Sequence, residues 1–514
     1  MLQYLPLAPI LLLLLVSLAM LVLRLVRPRF AYFWLVAALG ALAAWPLVLV
    51  SRLYVPQVVP LGEWQPASLF STSPRLVNDG ISWPFAAALA TLTLAVILTD
   101  VARAADADWS AWAASLALAS LGLVAVQGAN ALTVLLAWAA IDVVELFVFI
   151  GRLTLSGGGR RERVILAFFA RTAGIILLLW PSGSSLPALL AVGLRLGVLP
   201  LNMANFRDNI LRRGLGTMVR LVPAAASLAY LARLTSAGLT PGQVNFLLLV
   251  TAAAGLLAGL SWLLSRSELD GRPFWISGLA AMAMASTLRG QPLATLAWGA
   301  AALFSGGLLF ITSSRPRPLI LVLALGLLGF STLPLTPAWE GVRLYSAPYS
   351  PVLLILLVAH VLLLAGYVRH MIQPGLPLAG VERWVLVIYP LGVILVPVVH
   401  FVVGGWGWVQ MIRELGWEFN FLRMWPGLLV AVLTIFLVLR GRSRTLIPAR
   451  VEPFLKSVLS MSWLYRILWV VYSAFGRLLT EISRLLEGEG GVLWALLLLA
   501  LILAFFVQTV PGGG

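Results

Sequence analysis

The chain has 514 residues, 61% of them hydrophobic and 11% charged, with a formal net charge of +16 and a mean hydropathy of +1.00. A soluble globular domain carries about 25% charged residues, so the composition excludes that class. Zero cysteines exclude disulfides, cysteine-ligated iron–sulfur clusters and cysteine-containing zinc sites.

Apolar runs follow one another along the chain at about 3–27, 30–51, 81–101, 109–127, 130–151, 163–180, 186–203, 215–236, 244–265, 273–290, 292–313, 318–336, 348–369, 383–404, 424–440 and 490–510. That makes roughly sixteen candidate spans, each near the length needed to cross a hydrocarbon core. In lipid the backbone must satisfy its own hydrogen bonds. At this hydropathy only helices do so, because a barrel alternates apolar and polar residues. The expected class is an all-α polytopic membrane protein with roughly 14–16 transmembrane helices. The first run lacks a small-residue cleavage site and reads as a retained helix rather than a signal peptide.

Arginine placement sets the orientation. Arg24, Arg27 and Arg29 follow the first run. Alternate loops then carry Arg152, Arg160, Arg161 and Arg163; Arg207, Arg212 and Arg213; Arg266 and Arg272; Arg315 and Arg317; Arg369 and Arg383; and Arg440, Arg442, Arg444 and Arg450. The positive-inside rule places these loops in the cytoplasm and the N-terminus outside. This regularity accounts for most of the net charge, so no nucleic-acid partner is expected. The stretch 451–487 differs: Lys456, Arg466, Arg477, Glu481 and Arg484 interrupt its apolar residues. It reads as an amphipathic helix along the cytoplasmic surface, the alternative being one more span. A glycine-rich break at 488–491 leads to a last anchor helix.

Ionisable groups inside spans are the candidate functional residues, since each costs several kcal/mol unless paired or hydrated. In "LLAWAAIDVVELFVF" Asp142 and Glu145 are three residues apart and share one helical face. Two carboxylates at that depth can hold and release protons. Equally, either can form an ion pair with Arg195 or another buried arginine. Arg171 and Arg220 lie nearer their helix ends, where snorkelling is an alternative explanation. Arg195 is flanked by apolar residues on both sides. Glu340 lies beside Pro and Gly in "LPLTPAWEGVRLY", close to Arg343, and His360 stands alone in an apolar helix. His360, His370 and His400 leave little for a bis-histidine haem or a histidine-rich metal site, so no cofactor, metal or redox centre is expected. Lys456 is the single lysine among 35 basic residues. Arginine does not lose its proton in proteins, so no lysine relay can operate within the membrane.

Five stretches carry a resemblance. "VNDGISWPFA" (77–86) resembles the D-G-L-S stretch of the antiporter-like subunits of respiratory complex I. "GLRLGVLPLN" (193–202) is similar to their seventh-span motif G-x-x-x-K-x-G-x-x-P-x-H, "LVPAAASLAYLARL" (221–234) to their eighth-span ending, and "GFSTLPLTPAWEGVRLY" (329–345) to their twelfth-span region. "LLEGEGGVLWALLLL" (485–499) resembles tails of related hydrogenase and multi-subunit cation/proton antiporter subunits. The resemblance covers roughly 75–505. It implies two inverted five-helix repeats, each with a broken helix and a central charge. It also implies N-terminal helices and an outer loop at 1–74, repeats at 75–236 and 237–404, a further span at 405–450, a surface helix at 451–487 and an anchor at 488–514.

By that resemblance Asp142 takes the place of the family's fifth-span glutamate, and Arg195 that of its seventh-span lysine. Asn202 replaces the histidine after it, and the eighth-span lysine falls at Ala226. The eleventh-span counterpart, "LAWGAAALFSGGLLFI", has no ionisable group, and the twelfth-span one falls near Val342, between Glu340 and Arg343. The implied function is a non-catalytic membrane-arm subunit of a complex I-like NADH:quinone oxidoreductase, with other membrane subunits and the bilayer as partners. The lost lysines favour reduced or absent pumping and a structural role. The alternative is an actively transporting subunit of a hydrogenase-type, cation/proton antiporter or inorganic-carbon uptake complex. In either, Asp142, Glu145, Arg195, Arg220, Glu340, Arg343 and His360 are the proton-translocation candidates.

Overall fold

A computed structural model describes residues 4–63, 72–103, 108–153, 159–180, 183–199, 213–375, 382–415, 421–443 and 462–487. The chain divides into two units, Met1–Pro448 and Ala449–Gly514.

The first unit is a helix bundle. Its helices are α1 (Leu7–Val26), α2 (Phe33–Val50), α3 (Ser82–Asp100), α4 (Trp109–Val126), α5 (Ala131–Leu153), α6 (Gly159–Leu179), α7 (Leu186–Leu196) and α8 (Arg213–Leu231). They continue as α9 (Pro241–Leu264), α10 (Glu268–Leu288), α11 (Pro292–Ile311), α12 (Arg317–Leu328), α13 (Pro351–Met371), α14 (Val385–Leu415) and α15 (Phe421–Ser443). Among the described residues ten helices are long and apolar enough to cross a membrane, and shorter apolar helices lie at 165–179, 186–196, 317–328 and 424–440. The one sheet described is a hairpin of β1 (Gln57–Pro60) and β2 (Arg75–Asn78), antiparallel with Val58 opposite Val77.

Helices α3, α8, α10 and α11 are buried along nearly their whole length. Their sequences are rich in Ala, Gly, Ser and Thr, which let backbones approach closely where there is no hydrophobic drive between helices. Around this centre α9 packs on α10 and α13, α14 on α3, and α1 on α4. Leu15, Leu25 and Leu39 on α1 and α2 remain exposed, as a lipid-facing surface requires.

Helix starts follow local chemistry. A capping box, Thr240 with Gln243, opens α9, and Ser267 caps α10 by accepting the Asp270 N–H at 3.2 Å. The Asp-Gly-x-Ser stretch before α3 is a structural device. Asp79 accepts the Ile81 and Ser82 N–H groups at 3.0 and 2.8 Å, while the Ser82 hydroxyl donates to the Val77 carbonyl at 2.8 Å. Arg233, just beyond α8, closes on Asp79 with two bonds of 2.8 and 3.0 Å. Burial raises the Asp79 carboxyl, but the Arg233 bonds and charge and the Ser82 bonds outweigh it and hold the group below its ordinary 3.8. A depressed native pKa stabilises above the unfolded value and ceases to do so as pH falls through the native value. Wild type is therefore expected to lose thermal stability more steeply than Asp79→Asn below about pH 4, measured by melting in detergent; parallel acid limbs would refute the pairing.

Two predicted spans end early. The run 186–203 stays helical only to Leu196, and 318–336 only to Leu328. At the first, Gly197 adopts φ +70°, and the Val198 and Leu199 N–H groups both return to the Gly193 carbonyl at 3.0 Å. Such a left-handed turn terminates a helix and suits glycine. At the second, Thr332 and Leu335 have φ of 54° and 63° between Gly329 and the prolines at 334 and 337. Hydropathy continues through both breaks, so it overestimates both helices. Phe330, Ser331 and Thr332 are buried, a setting in which irregular backbone is tolerated at membrane depth because lipid does not reach it.

The second unit contributes α16 (Ser462–Glu487), a 26-residue helix. Ile467, Val471, Phe475 and Leu478 are exposed along one stripe, and Arg466, Arg477 and Glu481 are exposed as well. The expected anchor at 490–510, with Lys456, lies outside the described residues.

Candidate functional site

Asp142 lies midway along α5, and Glu145 follows less than one turn later. Both carboxylates meet cations from helices packed beside them. Arg195 of α7 grips Asp142 with two bonds, Nη1 to Oδ2 at 2.7 Å and Nη2 to Oδ1 at 2.8 Å. Arg171 of α6 pairs with Glu145 and stands 3.6 Å from Asp142 Oδ1. Glu145 is fully buried, and Arg195 and Arg171 are 5% and 7% exposed. Arg220 of α8 is buried within electrostatic range of Arg171. The group thus brings three guanidiniums, from Arg171, Arg195 and Arg220, to two carboxylates.

Local structure explains the placement. Because α7 stops at Leu196, Arg195 occupies its last turn, where the helix dipole favours a cation. Gly174 lets α6 approach this turn: a Cβ there would lie 3.1 Å from the Ala191 carbonyl oxygen and 3.4 Å from Arg195 Cγ. The guanidinium also lies 4.5 Å from the centroid of the Trp138 ring, one turn before Asp142 on α5. Stacking and a bidentate carboxylate together suit arginine and no other residue.

The expectation that Asp142 and Glu145 share a face holds, and Arg195 is the partner of Asp142. Arg171 departs from the snorkelling alternative: it turns inward because Glu145 leaves a buried negative charge that only a cation can balance. The sequence signal was present, since α6 offers one arginine at the depth of Glu145.

Glu340, Arg343 and His360 assemble elsewhere. After the α12 break, Trp339–Tyr345 forms a short 3-10 turn on which Glu340 pairs with Arg343. His360 of α13 is fully buried, with Nδ1 3.3 Å from the Tyr345 hydroxyl and Nε2 3.1 Å from the Phe330 carbonyl. A carbonyl can only accept, so Nε2 carries the proton and Nδ1 accepts from tyrosine. Both ring nitrogens are thereby satisfied, and His360 ties the broken end of α12 to α13. Tyr345→Phe is expected to cost about 1 kcal/mol of stability, read as a lower melting temperature with assembly intact.

A charge group that sequence reasoning missed lies where α8 and α10 begin. Glu268 accepts from Arg213 Nη2 at 2.6 Å and from Arg315 Nη2 at 2.9 Å. Arg213 also donates to the Phe310 and Thr312 carbonyls at 3.3 and 3.2 Å, and Arg315 to those of His370 and Gln373, the latter at 3.0 Å. The group ties together the ends of α8, α10, α11 and α13. No group of three or more His, Cys, Asp or Glu side chains suited to a metal occurs among the described residues.

No family model and no curated protein matches this sequence. Solved structures do match. A chain of the Mrp complex from Dietzia sp. DQ12-45-1b superposes with a TM-score of 0.67 at 16% identity, covering 98% of this chain and 63% of that one. This chain therefore spans under two thirds of that subunit. A chain of the membrane-bound sulfane sulfur reductase, an archaeal respiratory membrane complex, gives 0.65 at 12% identity, with 96% and 99% covered. The fold is shared with chains of both complexes. Respiratory complex I from Thermus thermophilus supplies a third likeness, 0.54 at 17% identity, over 77% of this chain and 97% of that one. At such identities the fold alone is shared, and function must be argued from the site.

Proposed function

We propose that the chain is a membrane-arm subunit of a multi-subunit redox or cation/proton-translocating complex, in which the Asp142 cluster is a fixed ion-pair lock and proton transport through this subunit is reduced or absent. The observation that carries this reading is the closed bidentate pair of Arg195 with Asp142, backed by Arg171 on Glu145. A relay needs a cation that can give up its proton or swing away. Arginine held by two hydrogen bonds and an indole does neither.

The likeness over 96–98% of the chain to the Mrp and sulfane sulfur reductase subunits, against 77% for complex I, favours a parent complex of the former kind over a complex I-like oxidoreductase. The breaks at Gly197 and Gly329 support repeats at 75–236 and 237–404. The arginine-rich loops support a bacterial inner-membrane setting with those loops cytoplasmic, and α16 is assigned to that surface. Affinity purification of the tagged chain in mild detergent is expected to recover other membrane subunits in fixed stoichiometry. Recovery of the chain alone would overturn the assignment to a complex.

A further inference from the structure

Away from the ion pairs, a cavity of about 330 Å³ opens where α11 begins and the 3-10 turn ends, lined by Gln291, Arg343, Tyr345, Ser346, Tyr349 and Pro426. The charge on its wall is the Arg343 guanidinium, since the Tyr345 hydroxyl donates to His360 and the Ser346 hydroxyl to the Arg343 carbonyl. The Arg343 side chain is 39% exposed, and its ion pair with Glu340 engages the guanidinium through Nε, the edge away from the two terminal nitrogens. Arg289, at the end of α10, donates to the Ser346 and Pro348 carbonyls, the latter at 3.2 Å, and so fixes the cavity wall. No side chain caps the start of α11 at Gln291.

The surroundings are those of a membrane interface. Tyr349 is exposed and packs against Trp425, with ring centroids 6.5 Å apart. Aromatic residues of this kind concentrate at headgroup level. From there an apolar stripe runs down two packed helices, through Leu354 and Val358 on α13 and Leu428 and Val432 on α15, all exposed. A guanidinium at headgroup level above exposed hydrocarbon-facing ridges is complementary to one kind of molecule.

We propose that this cavity binds the phosphate of an anionic phospholipid, with Arg343 as the anion ligand and the acyl chains along α13 and α15. A guanidinium offers parallel N–H groups to phosphate oxygens. Tyr349 and Gln291 supply further hydroxyl and amide donors, while the Ser346 hydroxyl is spent on the Arg343 carbonyl at 2.8 Å and fixes that turn. Glu340 holds the Arg343 side chain in place and at the same time weakens the site by its charge.

The test is native mass spectrometry of the purified full chain or its complex with phosphatidylglycerol, phosphatidylcholine or inorganic phosphate as probe. Wild type is expected to retain phosphatidylglycerol in preference to phosphatidylcholine, and Arg343→Gln to lose that preference by about tenfold. Arg343→Lys should fall between them, and Glu340→Gln should retain more phosphatidylglycerol than wild type. Should Arg343→Gln fail to fold, the Lys and Glu340→Gln variants carry the test. Equal retention of both lipids by wild type would overturn the proposal. So would unchanged retention in a folded Arg343→Gln, or in both remaining variants. Stabilisation by inorganic phosphate without lipid preference would assign the cavity to a soluble anion and overturn the lipid assignment.

Discussion

Arg195→Ala is expected to prevent stable assembly of the chain. The substitution leaves the Asp142 carboxyl at membrane depth without its two-bond partner, with Arg171 at 3.6 Å as the nearest remaining cation. Removing one partner of a buried pair costs about 3–5 kcal/mol, a large share of the 5–15 kcal/mol by which proteins are commonly stable. It also removes the cation that faces the carbonyl end of α7 and the ring stack on Trp138. Arg195→Lys should recover part of the loss, because charge returns without the second hydrogen bond or the planar stack. Expression and melting temperature in detergent decide the order: wild type highest, Lys intermediate, Ala lowest. Equal stability of all three would show that the pair does not hold α7 to α5.

Glu268→Ala is expected to have an effect of similar size by the opposite route. Here the carboxylate is the hub, and its loss leaves Arg213 and Arg315 facing one another with no balancing charge. Both arginines keep backbone carbonyls as partners, so the expected loss is about 3 kcal/mol, at the lower end of that range. The ends of α8, α10, α11 and α13 should loosen together, seen as faster hydrogen exchange in those four segments. Exchange confined to α10 would contradict the clamp.

Much of this architecture is legible in the sequence, and the reason is length. An apolar run near twenty residues has few alternatives to a span, so the starts of α3, α4, α9 and α11 fall within three residues of the hydropathy boundaries. The ends of α7 and α12 are not legible by that route, because the left-handed turns at Gly197 and at Thr332 and Leu335 change dihedral angles without changing hydropathy. Pairing follows a similar division. Asp142, Glu145 and Arg195 stand out as charges that apolar neighbours cannot solvate, and α5, α6 and α7 are close enough in sequence to be neighbours. Arg171 was harder, since its distance from a helix end leaves snorkelling and pairing equally open until Glu145 is seen to be fully buried. The Glu268 group is hidden for another reason. Arg213 and Arg315 belong to the arginine-rich loops that define topology, and Glu268 sits in a Ser-Glu-Leu-Asp helix start that reads as a solvated cap. Only three-dimensional convergence distinguishes a buried clamp from surface charge.

The distinction between a lock and a relay rests on one measurement, proton transport by the assembled complex carrying Asp142→Leu together with Arg195→Leu. Removing both members of a buried pair takes away one charge of each sign, leaves the net charge of the group unchanged and can be close to neutral in stability. Reconstituted in proteoliposomes, the double variant is predicted to assemble and to give the same proton flux as wild type. Normal assembly with flux abolished would contradict the lock and make Asp142 part of a working pathway.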